Sequence, residues 1–286
     1  MTQNSTDVLD ELAVVELTSR SDNAPTSGVD PTGRQQLSNC SARIWVMMPA
    51  YNEEAVIATL IEKIYVASQK TDYQLEIVIV DDASKDNTAQ VVSQLSFNGP
   101  INLLQHKRNQ GLAGAMRSGF KYVLENGHVG DVIVTLDADD TQPPASIPKM
   151  LTMIEEGFDV VIASRYQNGS RTIGVPWNRL AMTWFAKWLF KIITPIPGVW
   201  DYTCGFRAYR FAALKQSADF HGEQFVSEAG FSCMVDFLLK MRRFNFVMGE
   251  VPMLLRYDQK EGPSKMKVAT TAGQTLKLLV KRRLRG

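Results

Sequence analysis

The chain has 286 residues and a mass of 32.0 kDa, enough for one large domain or two small ones around a sizeable core. Apolar residues make up 45% and charged residues 21%, which excludes a disordered, collagen-like or strongly acidic protein. The net charge of +1 conceals an asymmetry: residues 1–40 carry two basic and six acidic groups, residues 41–259 carry 21 and 23, and residues 260–286 carry eight and one.

Residues 1–40 are rich in Ser, Thr, Asn, Asp and Gly, interrupted by a short apolar stretch around Leu12 to Leu17, and read as a mostly disordered tail. The first residues lack the basic and apolar regions of a signal peptide, and no run of about 18 residues is both apolar and uncharged, so neither a leader nor a membrane span is expected. Cys40, Cys204 and Cys233 are too few and too scattered for a zinc site or a disulfide framework, which favours a reduced, cytoplasmic setting.

From Arg43 onward, short β-branched or apolar runs alternate with longer amphipathic stretches. The runs are Ile44 to Met48, Leu75 to Val80, Ile101 to Gln105, Val132 to Leu136 and Val160 to Ala163; Glu53 to Ser68 and Asn109 to Glu125 are two of the helical stretches. This order predicts an α/β fold with a mostly parallel sheet flanked by helices. Such sheets bind ligands beyond the C-terminal ends of their strands, so the informative residues should follow each run.

After the first run comes Pro49-Ala50-Tyr51-Asn52-Glu53-Glu54, after the second Asp81-Asp82-Ala83-Ser84-Lys85-Asp86, and after the fourth Asp137-Ala138-Asp139-Asp140. Carboxylates recurring at one edge repel unless something cationic or hydrogen-bonding receives them. Asn52 and Asp86 read equally well as helix N-caps or as ligand contacts. Asp137 and Asp139 leave an extended strand on alternate positions and can face one ligand together, a geometry suited to a hard divalent ion on phosphate oxygens. Gly111, Gly114 and Gly119 permit either the approach of an anion to a helix start or close helix packing, and Arg117 lies within reach of a nucleotide. His106 and His221 have no ligand-like spacing and read as structural.

The run WNRLAMTWFAKWLFKII, with Trp177, Trp184 and Trp188 and with Lys187 and Lys191, predicts an amphipathic helix that is either buried or interfacial. The segment from Gln274 to Arg285 places Leu276, Leu279, Val280 and Leu284 on one face among basic residues, suited to an anionic leaflet or to water. Nucleic acid is not expected as a partner, because the aromatic residues are not interleaved with this basic tail.

The sequences VMMPAYNEEAVI, IVIVDDASKDNT, NQGLAGAMRSG, TLDADDTQPP and ASRY, in this order, resemble the GT-A-fold family of inverting glycosyltransferases, in particular its polyprenol-phosphate branch typified by dolichol-phosphate mannose synthase. GFRAYR, GFSCMVDFLLKMRR, GEVPMLL and the Ser264-Lys265 pair extend the resemblance over residues 43 to 268. It implies a GT-A domain over 41–268, between a tail at 1–40 and a basic amphipathic segment at 269–286. Pro49, Tyr51, Glu53, and Asp81 or Asp82, would line the base and ribose. Asp137 and Ala138 would complete the nucleotide-sugar site, and Asp139 would be the main ligand of Mg²⁺ or Mn²⁺, with Asp137 beside it. The family often has Gln as a further ligand where this chain has Thr141; a hydroxyl or a water would substitute. Arg256 and Lys265 would hold the nucleotide sugar, and Arg165, Arg179 and Thr183 the acceptor phosphate, so that Asp139, Arg165 and Arg179 carry the catalytic roles.

A phosphate monoester has a second pKa of about 6, so as a nucleophile it needs no general base, only cations that hold it beside the leaving group. The resemblance therefore implies a metal-dependent inverting transferase. It would move a hexose from a nucleotide sugar of GDP-mannose or UDP-glucose type to a polyprenyl phosphate, attached peripherally at the cytoplasmic membrane face. A soluble or glycan acceptor, or a non-catalytic nucleotide-binding scaffold, are the alternatives.

Overall fold

Apolar runs bounded by turn-forming residues become strands, and the amphipathic stretches between them become helices. The computed structural model describes residues 12–16, 42–95 and 99–259, apart from the side chains of Glu16, Asn178, Arg179, Ala181, Met182, Phe185 and Gln259. The rest of the N-terminal tail, Lys265 and the basic segment at 269–286 lie outside the described residues.

The strands are β1 (Leu12–Glu16), β2 (Arg43–Ala50), β3 (Gln74–Asp81), β4 (Ile101–His106), β5 (Val132–Thr135), β6 (Val160–Ser164), β7 (Arg171–Ile173), β8 (Arg207–Arg210), β9 (Met248–Pro252) and β10 (Leu254–Arg256). The helices are α1 (Ile57–Ser68), α2 (Thr88–Gln94), α3 (Gly111–Asn126), α4 (Ile147–Glu155), α5 (Trp177–Ile193), α6 (Phe211–His221) and α7 (Ser232–Met241). Eight strands form one sheet in the order β1-β4-β3-β2-β5-β8-β6-β9, and β10 pairs with β7 in a parallel ribbon. Only β1 and β8 run against their neighbours.

The central strand β2 is buried on both faces from Ile44 to Met48, as expected of a strand covered by helices on each side. The chain runs outward from β2 to β3 and β4, then returns to place β5 on the other side of β2. The crevice where the strand order reverses lies beyond the ends of β2 and β5, the standard ligand position in open α/β sheets. At the opposite edge, buried Asp131 takes hydrogen bonds from Trp45 Nε1 (2.8 Å) and from the backbone N–H of Arg43 and His128 (both 3.0 Å), fastening the start of β2 to the start of β5.

Two arginines brace this frame through main-chain carbonyls. Arg207 is fully buried and donates to Met234 O and Tyr202 O, while Arg210 donates to Ile154 O and Phe158 O. Cys204 and Cys233 are buried free thiols whose burial pushes each up to about 12. Among the described residues no helix is long and apolar enough to cross a membrane.

The structure departs from the sequence reading at Leu12–Glu16. These residues, placed by composition within a disordered tail, form an edge strand antiparallel to β4, with Leu12 opposite His106 and Glu16 opposite Asn102. The pairing covers the outer row of β4 backbone groups that an open edge would expose.

Two glycines of α3 meet backbone and packing demands. Gly111 has a positive φ of 71° at the helix start, whereas Gly119 lets the helix lie directly on the sheet: a Cβ there would stand 2.2 Å from Met47 Sδ and 3.2 Å from Val80 Cγ2. Gly119→Ala is therefore expected to destabilise the fold by about 1–3 kcal/mol, the usual range for overpacking a core, measured as a lower urea midpoint at unchanged slope.

Candidate active site

The turns after β2 and β3 are locked to each other by polar side chains. Asn52 N donates to Ser84 Oγ (2.9 Å) and Lys85 N donates back to Asn52 Oδ1 (2.7 Å). Glu53 N donates to Thr88 Oγ1 (2.8 Å), Glu54 N to Asp86 Oδ2 (3.1 Å) and Asn87 N to Glu54 Oε2 (2.8 Å). Asn52 and Asp86 thus tie two loops together, and neither side chain caps α1 or α2 in the simple sense. Three of the non-glycine residues with positive φ, Asn52 (54°), Ala83 (57°) and Asp140 (54°), sit just past the ends of β2, β3 and β5. Left-handed backbone costs an L-residue roughly 1–2 kcal/mol, so the surrounding hydrogen bonds must hold these turns in place.

Each carboxylate at this edge receives donors from the chain. Asp81 Oδ1 accepts from Ser84 N (3.2 Å), and Asp140 pairs with Lys63 of α1. Asp137 Oδ2 accepts from Gln142 Nε2 (2.8 Å) while its own N–H donates to Gln142 Oε1 (2.9 Å), so one buried glutamine clasps the residue on both sides. Asp139 Oδ1 accepts from Thr141 Oγ1 (2.7 Å) and Thr141 N (3.2 Å). Ala138 between them is buried, and both carboxylates are half-buried.

Asp82 is employed differently from the expectation that placed it on a base or ribose. It is buried, its Oδ1 bonds with His106 Nδ1 (2.6 Å) and accepts from Gln110 N (2.7 Å), and its Oδ2 accepts from Gly111 N (2.7 Å). It holds the start of α3, and His106, anchored on its other nitrogen by Ser118 Oγ (2.9 Å), supports it. Arg117 is turned away to Val226 O (3.0 Å). Asp81 is as buried as Asp82 and accepts from Ser84 N within its own turn.

The cationic side begins where β6 ends. Arg165 is no solvated surface charge: its fork grips fully buried Asp201 through Nε–Oδ2 (2.8 Å) and Nη2–Oδ1 (2.6 Å). Burial would weaken both charges, but each other's field outweighs it, so the Asp201 carboxyl is held below and the guanidinium above its ordinary range. Arg256 reaches the aspartate loop through its backbone, Arg256 N donating to Thr141 O (2.9 Å), while its fork rests on Asp258 (Nη2–Oδ2 2.9 Å). The same segment joins the Arg165 side, since Met253 N donates to Ser164 O (3.0 Å). Arg256 thus borders the Asp137–Thr141 turn through its backbone, and the segment that carries it also meets the end of β6, next to Arg165.

Between Arg165 and α5 lies a cleft of about 360 Å³ whose wall includes Thr183, Val175, Leu180, Trp184 and Leu255. Tyr166 OH donates to Thr183 O (3.0 Å) and fixes α5 across it. Trp177, Trp184 and Trp188 are 82%, 60% and 42% exposed. The lysines of α5 do not share that outward face, contrary to the interfacial picture drawn from sequence. Lys187 Nζ lies 4.6 Å from the Tyr166 ring and 4.8 Å from that of Trp200, and Lys191 Nζ donates to Ile196 O and Val199 O (both 3.0 Å).

The fold thus gathers Pro49, Tyr51, Asp81, Asp137, Ala138, Asp139, Thr141, Arg165, Thr183 and Arg256 at the C-terminal edge, with Glu53 at the head of α1 behind them. Arg179 stands in the first turn of α5, its side chain outside the described residues, as is the whole of Lys265. Gln142, Asp201 and Glu250 were not legible as site residues; Gln142 was signalled only by its place after the aspartate cluster.

Asp86 offers a check on the loop lock. Burial would raise its carboxyl pKa, but hydrogen bonds from Thr88 and the Glu54 N–H prevail and hold it below the ordinary value. The stabilisation is therefore complete above the unfolded pKa near 3.9 and is lost as pH falls through the lower folded value. Asp86→Asn is expected to cost about 1 kcal/mol at pH 7, the usual net worth of a hydrogen bond, and this difference from the parent protein should shrink below pH 4 in urea titrations.

Residues 45–218 match the family described as glycosyl transferase family 2. The polyprenol monophosphomannose synthase of Mycolicibacterium smegmatis is 28% identical over 226 residues, covering 78% of this chain and 81% of that protein. The dolichol-phosphate mannosyltransferase of Pyrococcus furiosus is 32% identical over 229 residues, covering 80% of this chain and 60% of the archaeal protein. Among solved structures, glucosyl-3-phosphoglycerate synthase from Mycobacterium tuberculosis, crystallised with Mn²⁺, UDP and phosphoglyceric acid, superposes with a TM-score of 0.59 at 18% identity, covering 86% of this chain and 80% of that one. That likeness establishes the GT-A fold. With a family match running from β2 into α6 and an archaeal relative named a mannosyltransferase, the chain belongs to glycosyl transferase family 2 and is a glycosyltransferase.

Proposed function

We propose that the protein transfers a hexose from a nucleotide sugar, of GDP-mannose or UDP-glucose type, to a polyprenyl phosphate. The observation that carries this reading is the cleft beside Arg165. It joins a guanidinium and the Thr183 position to an apolar wall of Val175, Leu180, Trp184 and Leu255, matching a phosphate on an isoprenoid chain. The two relatives are named for polyprenol and dolichol phosphate, lipids of that kind.

The donor would lie in the crevice between the ends of β2 and β5, with Pro49, Tyr51 and Asp81 toward base and ribose. The aspartate turn fits a hard divalent cation: two carboxylates on alternate residues, oriented by Gln142 and Thr141, supply oxygen ligands. Asp139 and Asp137 would hold Mg²⁺ or Mn²⁺. Thr141 spends its hydroxyl on Asp139 and acts as that ligand's support. Among the described residues no group of three or more His, Cys, Asp or Glu side chains encloses a metal by itself, so diphosphate oxygens and water would complete the shell. The ion would supply charge to stabilise the leaving diphosphate.

In the reaction a phosphate oxygen of the acceptor forms a bond to the anomeric carbon as the bond from that carbon to the diphosphate breaks, inverting the centre and releasing nucleoside diphosphate. Arg165 and Arg179 would hold the attacking dianion, Arg256 and Lys265 the leaving group. The exposed tryptophans of α5 would rest among lipid headgroups, a peripheral attachment at the cytoplasmic face where the donor is supplied.

Transfer of labelled sugar from GDP-mannose or UDP-glucose into an organic-extractable polyprenyl phosphate is expected, dependent on Mg²⁺ or Mn²⁺ and abolished by chelator. Asp139→Ala should reduce transfer at least a thousandfold, and Arg179→Ala should raise the acceptor KM more than the nucleotide Kd. Label appearing only in a water-soluble product would replace the lipid by a soluble phosphate acceptor.

A further inference from the structure

Asp201 lies outside the aspartate turn, has no exposed surface, and yet receives more of Arg165 than any ligand in the cleft could. Its oxygens accept from Arg165 N (3.1 Å), Nε (2.8 Å) and Nη2 (2.6 Å), and from Cys204 N (3.1 Å). The other Nη2 proton reaches Thr203 Oγ1 (2.6 Å). Three of the five N–H groups of the guanidinium are thereby committed, and those on Nη1 remain for the cleft. Asp201 is itself fixed, because Glu250 Oε1 accepts from the N–H of both Trp200 and Asp201 (2.6 Å each) while Glu250 Oε2 accepts from Gln167 Nε2 (2.9 Å).

We propose that Asp201, seated by Glu250, is the positioning residue for Arg165: it fixes the guanidinium plane so that the Nη1 edge alone meets the acceptor phosphate. The inference rests on the acceptor site described above. A free arginine would give up its rotamer freedom when the phosphate arrives; here that freedom is already gone before binding. The pair is close to neutral as a unit, so Arg165 contributes direction, and the net positive charge for a dianion has to come from other cations such as Arg179. Asp201 is not a proton acceptor in this arrangement, since both its oxygens face donors and no solvent reaches it.

The test compares Asp201→Asn, Arg165→Gln and the double variant in the full chain, with a short-chain polyprenyl phosphate and the donor that supports transfer. Asp201→Asn is expected to raise the acceptor KM at least tenfold while the nucleoside diphosphate Kd stays within twofold, and to add less than twofold once Arg165 is already Gln. An equal loss with and without Arg165 would overturn the proposal, as would an unchanged acceptor KM when Arg165→Gln does raise it. The NMR cross-peak of the Arg165 Nε–H group, assigned by its loss in Arg165→Lys, should shift and broaden in Asp201→Asn; a peak that stays in place overturns the proposal whatever the kinetics. If Arg165→Gln leaves the acceptor KM unchanged, the acceptor site is what fails, and the cross-peak alone decides the role of Asp201. Should Asp201→Asn fail to fold, Asp201→Glu, which keeps the charge and displaces the fork, is expected to give the same split between acceptor KM and nucleotide Kd, and parent-like kinetics in it would refute the idea.

Discussion

The architecture depends on seating several carboxylates at one edge of a parallel sheet. Asp137 and Asp139 are oriented by an amide side chain, a hydroxyl and a backbone N–H, and Asp140 by the ammonium of Lys63. Asp131, at the far edge, shows the other solution: Arg43 Nη2 stands 3.2 Å from it, Trp45 closes over it, and the result is a buried staple. The same residue type thus shapes a turn at one end of the sheet and fastens two strands at the other. Asp137 and Asp139 take bonds from their own loop, whereas Asp131 takes its bonds mainly from the neighbouring strand β2.

The cationic wall follows the reverse logic. Arg165 and Arg256 each meet a carboxylate, Asp201 and Asp258, but in unlike settings. Asp201 is fully buried and Asp258 lies at the surface, so the first pair is rigid and the second is an exposed contact that solvent and salt weaken. Along α5 the division is between charge and aromatic surface. Lys187 and Lys191 fold inward over Tyr166 and Trp200 and onto main-chain carbonyls, leaving the outward face to tryptophan. Lysines on a surface helix ordinarily extend toward water, so their inward turn here is a property of the aromatic rings they found.

Much of this was legible from residue pattern. β2 to β6 announce themselves as apolar runs because a strand buried on both faces has no polar alternation to blur it, and the aspartate turn is visible because its spacing survives as local sequence. The supports were not legible. Asp201 meets Arg165 across a strand and a helix, Gln142 acts by folding back on Asp137, and Asp82 looks in sequence like a twin of Asp81 although one faces a helix start and the other a loop. In each case local sequence gives the chemistry of the group and the fold decides its partner. Leu12–Glu16 failed for a related reason: five residues carry too little periodicity to declare a strand whose partner lies far along the chain.

That edge strand also orders events in time. β1 is synthesised before β4, and its hydrogen-bonding row has no mate until Ile101–His106 have been made and β4 has itself settled against β3. Until then the stretch is an unpaired segment of the kind that pairs wrongly between nascent chains, and Asp10, Glu11 and Glu16 at its ends are charges of the type that oppose such pairing.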